Sequence, residues 1–272
     1  MNPASNPLHA PAQAPMGEQL GHLEYTITPE VLAQYREALA YPEAGFPNLA
    51  AAEWREVLTR RLGDRPLVSL GHRDRYFTPP ILGRRVQVSG WLRERQLENG
   101  QEWLRVETFA VDEIGTEILR TEHTFLAGNH HPVPAQAENI PDQAPGEQLP
   151  PLVKWVSPEG LALLEDLYRS LTGGHQTRDQ AANFHTEQLG LGTLHELVAR
   201  RFGIDFRQGG LLKMSYLRPI RAGDRLTASG TARASASAAG RVHYCLNLWL
   251  HNQRGEPTAR GSARVTVPSP LT

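Results

Sequence analysis

Five polar side chains crowd one short stretch, Gly173 to Gln188 (GGHQTRDQAANFHTEQ): His175, Asp179, Asn183, His185 and Glu187. Histidine is the side chain whose ordinary titration lies nearest neutrality, so it takes up and releases protons under physiological conditions. A histidine and a carboxylate gripping one water molecule form an acid–base pair: the pair draws a proton from the water and returns one elsewhere. His185 is the leading candidate, Asp179 its expected carboxylate partner and Asn183 a third polar group. Glu187 reads better as a capping acid ahead of a helix, and His175, in Gly-Gly-His, as loop.

The stretch stands out because the chain repeats itself and only one copy has it. Pro79, Gly83, Gly90, Gly100 and Gly115 have twins at Pro219, Gly223, Gly230, Gly240 and Gly255, always at the same offset, 219 − 79 = 255 − 115 = 140. Arg120 and Arg260 obey it, as do EVLTRRLG (56–63) and ELVARRFG (196–203). Upstream, Thr28-Pro29-Glu30 matches Ser157-Pro158-Glu159 at 158 − 29 = 129. The second copy therefore holds 140 − 129 = 11 extra residues between Glu159 and Leu194, the interval that contains the polar stretch.

Composition narrows the classes. The 272 residues suffice for two domains, and 40% hydrophobic content gives each a core. A net charge of −1 gives no support for a nucleic-acid or anionic-membrane surface. No apolar run approaches the roughly 20 residues of a membrane helix. The N-terminal MNPASNPLHAPAQAP has no signal-like apolar core, and Cys245 is the single cysteine, so the expectation is a cytoplasmic protein without disulfides or a multi-cysteine zinc site. No metal or cofactor is expected; a site at His130-His131 is disfavoured because the pair lies in a linker.

The elements that must position these residues read in the same order twice. Residues 1–19, rich in Pro, Ala and Asn, read as a disordered tail; 20–126 form the first unit, 127–151 a Pro-rich linker and 152–272 the second unit. Each unit opens with a capped helix: Ser/Thr at the N-cap, Pro at N1, Glu in the first turn. A second helix is expected at about 50–62 and 190–202, ended by Gly63 and Gly203. Strands follow, with Tyr244, Leu246, Leu248 and Leu250 alternating with Cys245, Asn247, Trp249 and His251. Gly115 and Gly255 fall where hairpin turns need positive φ. This predicts an antiparallel meander wrapped on a helix, made twice and joined as a pseudo-dimer.

In that frame MSYLRPIRAGDRLTASG followed by LWLHNQRGEPTARGSARV resembles the MaoC-like hydratase/dehydratases of the hotdog fold. The carrying residues are Arg218-Pro219, Gly223-Asp224, Gly255-Glu256 and the final Gly261–Ala263–Val265. FTPPILGRRVQVSG and VDEIGTEILRTEHTFL resemble the family's N-terminal dehydratase-like domain. The resemblance covers about 20–126 and 152–267. It implies an α+β double hotdog, two antiparallel sheets each wrapped around a central helix. The family signature Gly-Asp-x-Asn-Pro-x-His-x-Asp matches in part: His185 stands at its His and Glu187 at its last acid. Asn183 is one position too near, and Asp179 lies six residues before His185 where the signature acid lies five before. Gly192 resembles the glycine at the N-terminus of the central helix, whose amide would face the thioester carbonyl.

The implied reaction is reversible hydration of 2-enoyl thioesters, carried on CoA or on acyl carrier protein. The first unit would be non-catalytic and form the acyl groove, and the molecule would be a monomeric pseudo-dimer or a homodimer. Two rival readings stay open. Glu196 would activate water in an acyl-CoA thioesterase, but its twin Glu56 in the copy without the insert points to a folding role such as helix solubility. A non-catalytic acyl-thioester-binding protein is the other. His195, whose twin is Arg55, is expected to be exposed.

Overall fold

The computed structural model describes residues 17–41, 67–98, 100–128, 146–172, 178–238 and 240–269, with the backbone alone for 172, 178–185 and 235–238. The tail, the expected helix at 50–62, His175 and His130-His131 lie outside the described residues.

Each copy begins with a strand and a capped helix. β1 (Glu18–Thr26) leads into α1 (Pro29–Ala38), where the Thr28 hydroxyl accepts from the Val31 amide at 3.2 Å. In the second copy β6 (Glu147–Gln148) and β7 (Leu152–Trp155) lead into α2 (Pro158–Thr172), and Ser157 Oγ accepts from the Gly160 amide at 2.8 Å. These short hydroxyl caps satisfy amides that the first turn leaves without intrahelical partners. Gly160 lets the two helices meet, since a Cβ there would stand 2.7 Å from the Ala38 carbonyl oxygen.

Four strands complete each copy. They are β2 (Leu67–Tyr76), β3 (Arg85–Glu98), β4 (Gln101–Asp112) and β5 (Glu117–Ala127), then β8 (Leu211–Tyr216), β9 (Arg225–Ala238), β10 (Arg241–His251) and β11 (Pro257–Pro268). The same turn is built twice. Asp112 Oδ1 accepts from the amides of Ile114 and Thr116 around Gly115 (φ 84°), and Asn252 Oδ1 from those of Arg254 and Glu256 around Gly255 (φ 74°). A short Asx side chain closes the loop while glycine takes the left-handed conformation.

The sheets are one, not two. The antiparallel order is β1-β3-β4-β5-β2-β8-β11-β10-β9-β6, with β7 also on β9. The separate sheets of the sequence reading are fused edge to edge by β2 and β8, which removes two edges that would otherwise expose unpaired backbone groups. At that seam Arg73 pairs with Lys213, its own twin at offset 140, so a pseudo-twofold axis passes through this pair. The registers repeat as well: Leu23 pairs with Val88, and Leu152 with Ala228. Glu147 and Gln148, inside the expected linker, pair with Ala232 and Thr231 as Glu18 and Gln19 pair with Leu92 and Trp91, which carries the second copy upstream to Glu147.

The second central helix, α3 (Arg178–Arg207), lies over this sheet and buries Leu191, Leu194, Leu197 and Val198 against Leu246, Leu248, Ala259 and Ala263. It breaks at Gly203 (φ 54°, ψ −126°). None of the described helices is long and apolar enough to cross a membrane.

Candidate active site

The insert enters the structure as helix. Asp179, Asn183 and His185 lie in the first turns of α3, whose backbone is helical from Arg178; their side chains lie outside the described residues. Two expectations change as a result. Glu187 is not a capping acid, because the helix is already two turns old there; its carboxylate accepts instead from the Ser69 hydroxyl of β2, across the two copies. Gly192 does not open the helix. It sits in mid-α3, where its amide belongs to the intrahelical ladder, and a Cβ there would stand 3.3–3.4 Å from the Leu39 methyls of the neighbouring α1 C-cap. Its smallness serves close packing.

His195 is buried, not exposed, at 3%. The break at Gly203 folds Phe206 back so that the imidazole packs against Phe206 (centroids 5.1 Å) and against Tyr76 of the other copy (5.4 Å). Its Nε2 has no hydrogen-bond partner among the described residues. Burial, reinforced by the Arg207 guanidinium and opposed by Asp74, pushes its pKa down to about 3, so the ring is neutral at working pH. Glu196 is also buried, at 1%, and held by Lys154 (2.8 Å) and Arg200 (2.6 Å). Lys154 in turn donates to the carbonyls of Leu39 and Ala40 at the end of α1. Glu196 thus clamps α3 to β7 and α1. The folding role stands, through a buried ion pair and not through solubility.

The largest polar group was missed from the sequence, and it lies in the first copy. On the buried face of β2 and β5, Asp74 Oδ1 accepts from the Thr121 hydroxyl at 2.6 Å and Oδ2 from the Tyr76 hydroxyl at 3.1 Å. His72 Nε2 lies 2.7 Å from Asp74 Oδ1, and His72 Nδ1 lies 3.2 Å from His123 Nδ1. Desolvation and the facing Asp74 carboxylate raise Tyr76 well above the usual phenol value. The twins of His72, Asp74, Thr121 and His123 at offset 140 are Leu212, Met214, Gly261 and Ala263. The same scaffold therefore folds without this array. The repeat held that signal, since all four polar residues lack a polar mirror. Arg73 and Arg75 between them hid it, because a strand polar at both parities shows no period of two. Among the described residues, no three His, Cys, Asp or Glu side chains gather as a metal site would need.

No family model and no curated protein sequence matches this chain. Solved structures do. A MaoC-like dehydratase superimposes with a TM-score of 0.66 at 12% identity, over 91% of this chain and 96% of that one. A putative MaoC domain dehydratase from Chloroflexus aurantiacus gives 0.60 at 12%, over 94% and 99%. RV0216 from Mycobacterium tuberculosis, described as a double hotdog, gives 0.53 at 12%, over 92% and 99%. The chain has the double-hotdog fold that MaoC-like dehydratases adopt.

Proposed function

We propose that this protein adds water reversibly to 2-enoyl thioesters, or removes it from 3-hydroxyacyl thioesters, at the start of α3. The observation that carries this reading is the unmirrored polar segment, which falls at the onset of the central helix of the copy that has it. The sharing of the fold with MaoC-like dehydratases supports the reaction class. His185 takes a proton from water as the water oxygen bonds to the β-carbon. Asp179 holds the same water, and Asn183 orients the pair. The α-carbon receives a proton, so the sum is H and OH added across one double bond. Such a pair contributes roughly 10²–10⁴-fold in rate.

Negative charge builds on the thioester oxygen in the transition state and needs donors. Gly192 does not supply one. The amides without intrahelical partners belong to the first turn of α3, beginning at Arg178, where the helix dipole also favours negative charge. The carrier is CoA or acyl carrier protein, and the compartment is the cytoplasm. A thioesterase built on Glu196 is disfavoured by the two cations that hold that carboxylate.

The test follows the conjugated enoyl absorbance of crotonyl-CoA and of longer 2-enoyl-CoAs, with thiol release measured in parallel. Absorbance is expected to fall without release of thiol. Thiol release without hydration would favour a thioesterase, and tight acyl-CoA binding without either change would mark a binding protein.

A further inference from the structure

We propose that the first copy holds a binding site for an aliphatic carboxylate, a chain of about eight carbons ending in a carboxylate, in the cavity between α1, the β2–β3 loop and the end of α3. The cavity has a volume of about 250 Å³. At about 30 Å³ for each water-sized group it admits roughly eight of them. Its apolar walls include Ile27, Leu32 and Ile118, and the half-exposed Leu82 and Ile204 flank it as an apolar approach. Into this lining come two guanidinium groups, Arg36 from α1 and Arg207 from the turn beyond Gly203. Arg207 also reaches the Tyr41 hydroxyl at 3.3 Å, which steadies it beside the cavity. An apolar cavity that takes only an apolar guest has no use for two cations. Guanidinium is the side chain whose planar fork matches a carboxylate with two parallel hydrogen bonds.

The repeat shows which of these features the scaffold requires. Arg36 has Glu165 as its twin at offset 129, Arg207 has Leu67 at 140, and Pro80 has Ile220 at 140. Pro80 borders the cavity. Ile220 is buried, and a Cβ on Gly190 would collide with its Cδ1. The second copy spends this loop position on packing, and the first spends it on a wall. Both cations and the open space are thus particular to the first copy. The site does not depend on the hydratase reading, and it is tested by binding alone.

The carboxylate has two sources, a free acid or the far end of an acyl chain on a thioester. Calorimetry on the full-length protein with octanoate, octanol and octylamine tests the shared chemistry. Octanoate is expected to bind saturably, at least tenfold more tightly than the other two. Arg36→Glu and Arg207→Leu, each installing the twin residue, are expected to weaken octanoate tenfold or more while leaving the thermal midpoint within a few degrees. Arg207→Lys, which keeps the charge and loses the fork, guards against a folding defect and should fall between. Displacement of octanoate by the mono-CoA thioester of octanedioic acid, and not by octanoyl-CoA, assigns the carboxylate to a chain end. Binding that neither displaces assigns it to a free acid. Equal binding of octanoate and octanol, or octanoate affinity unchanged in folded Arg36→Glu and Arg207→Leu, overturns the proposal.

Discussion

At the scale of single residues, the two copies act as each other's control. Positions 72, 74 and 123 fold as His, Asp and His in one copy and as Leu, Met and Ala in the other. A buried charge stripped of one partner is costly, whereas replacing a whole buried polar group with apolar residues is often neutral. Asp74→Ala leaves His72, Thr121 and Tyr76 facing no acceptor, and is expected to cost about 3–5 kcal/mol in urea unfolding. The triple change His72→Leu, Asp74→Met, His123→Ala is expected to cost less than that single change, a strong departure from additivity. A triple variant weaker than Asp74→Ala would show that the array holds the fold together.

His195 gives the pH dependence. Its folded pKa of about 3 lies below the ordinary 6.5, so the unfolded chain binds the extra proton between those values. This contribution is complete above 6.5 and declines as pH falls through the window, by about 1.4 kcal/mol per unit. The drop in urea midpoint from pH 7 to pH 5 should shrink in His195→Phe; an unchanged drop would refute the assignment. The burial of His195 was not legible in sequence. It depends on Phe206, eleven positions on and folded back at Gly203, and on Tyr76 from the other copy.

At the scale of elements, the caps of α1 and α2 and the turns at Gly115 and Gly255 were legible because each is specified by residues within a few positions. The start of α3 was not. Gly190 and Gly192 look like a helix boundary, yet the helix runs through both, because each lets another element approach. Tertiary packing overrides the roughly 0.5–1 kcal/mol that a mid-helix glycine costs. The two positions differ in room. A methyl at Gly190 collides with Ile220 Cδ1, while one at Gly192 meets the movable Leu39 methyls at 3.3–3.4 Å. Gly190→Ala is expected to destabilise by about 1–3 kcal/mol and Gly192→Ala to be near neutral, once helix propensity offsets the contact. Thermal unfolding of the two variants checks the order, and the reverse order would refute this packing.

At the scale of the whole molecule, the offsets of 140 and 129 were enough to foresee duplication, and the strand registers repeat both. The fusion into one sheet was not foreseen, because hydrophobic alternation specifies which face of a strand is buried and not which edge finds a partner. The pairing of Arg73 with Lys213 places the pseudo-twofold axis in the middle of β2 and β8. Around that axis the copies have diverged in opposite senses: the second carries the polar insert, and the first carries the His–Asp array and the cavity with two arginines. The proposed hydration chemistry rests on the first of these differences. Its most direct test is the rate of crotonyl-CoA hydration by His185→Ala beside the unaltered protein. A 10²–10⁴-fold fall in kcat with the fold intact is the expected result; turnover at the unaltered rate would contradict it.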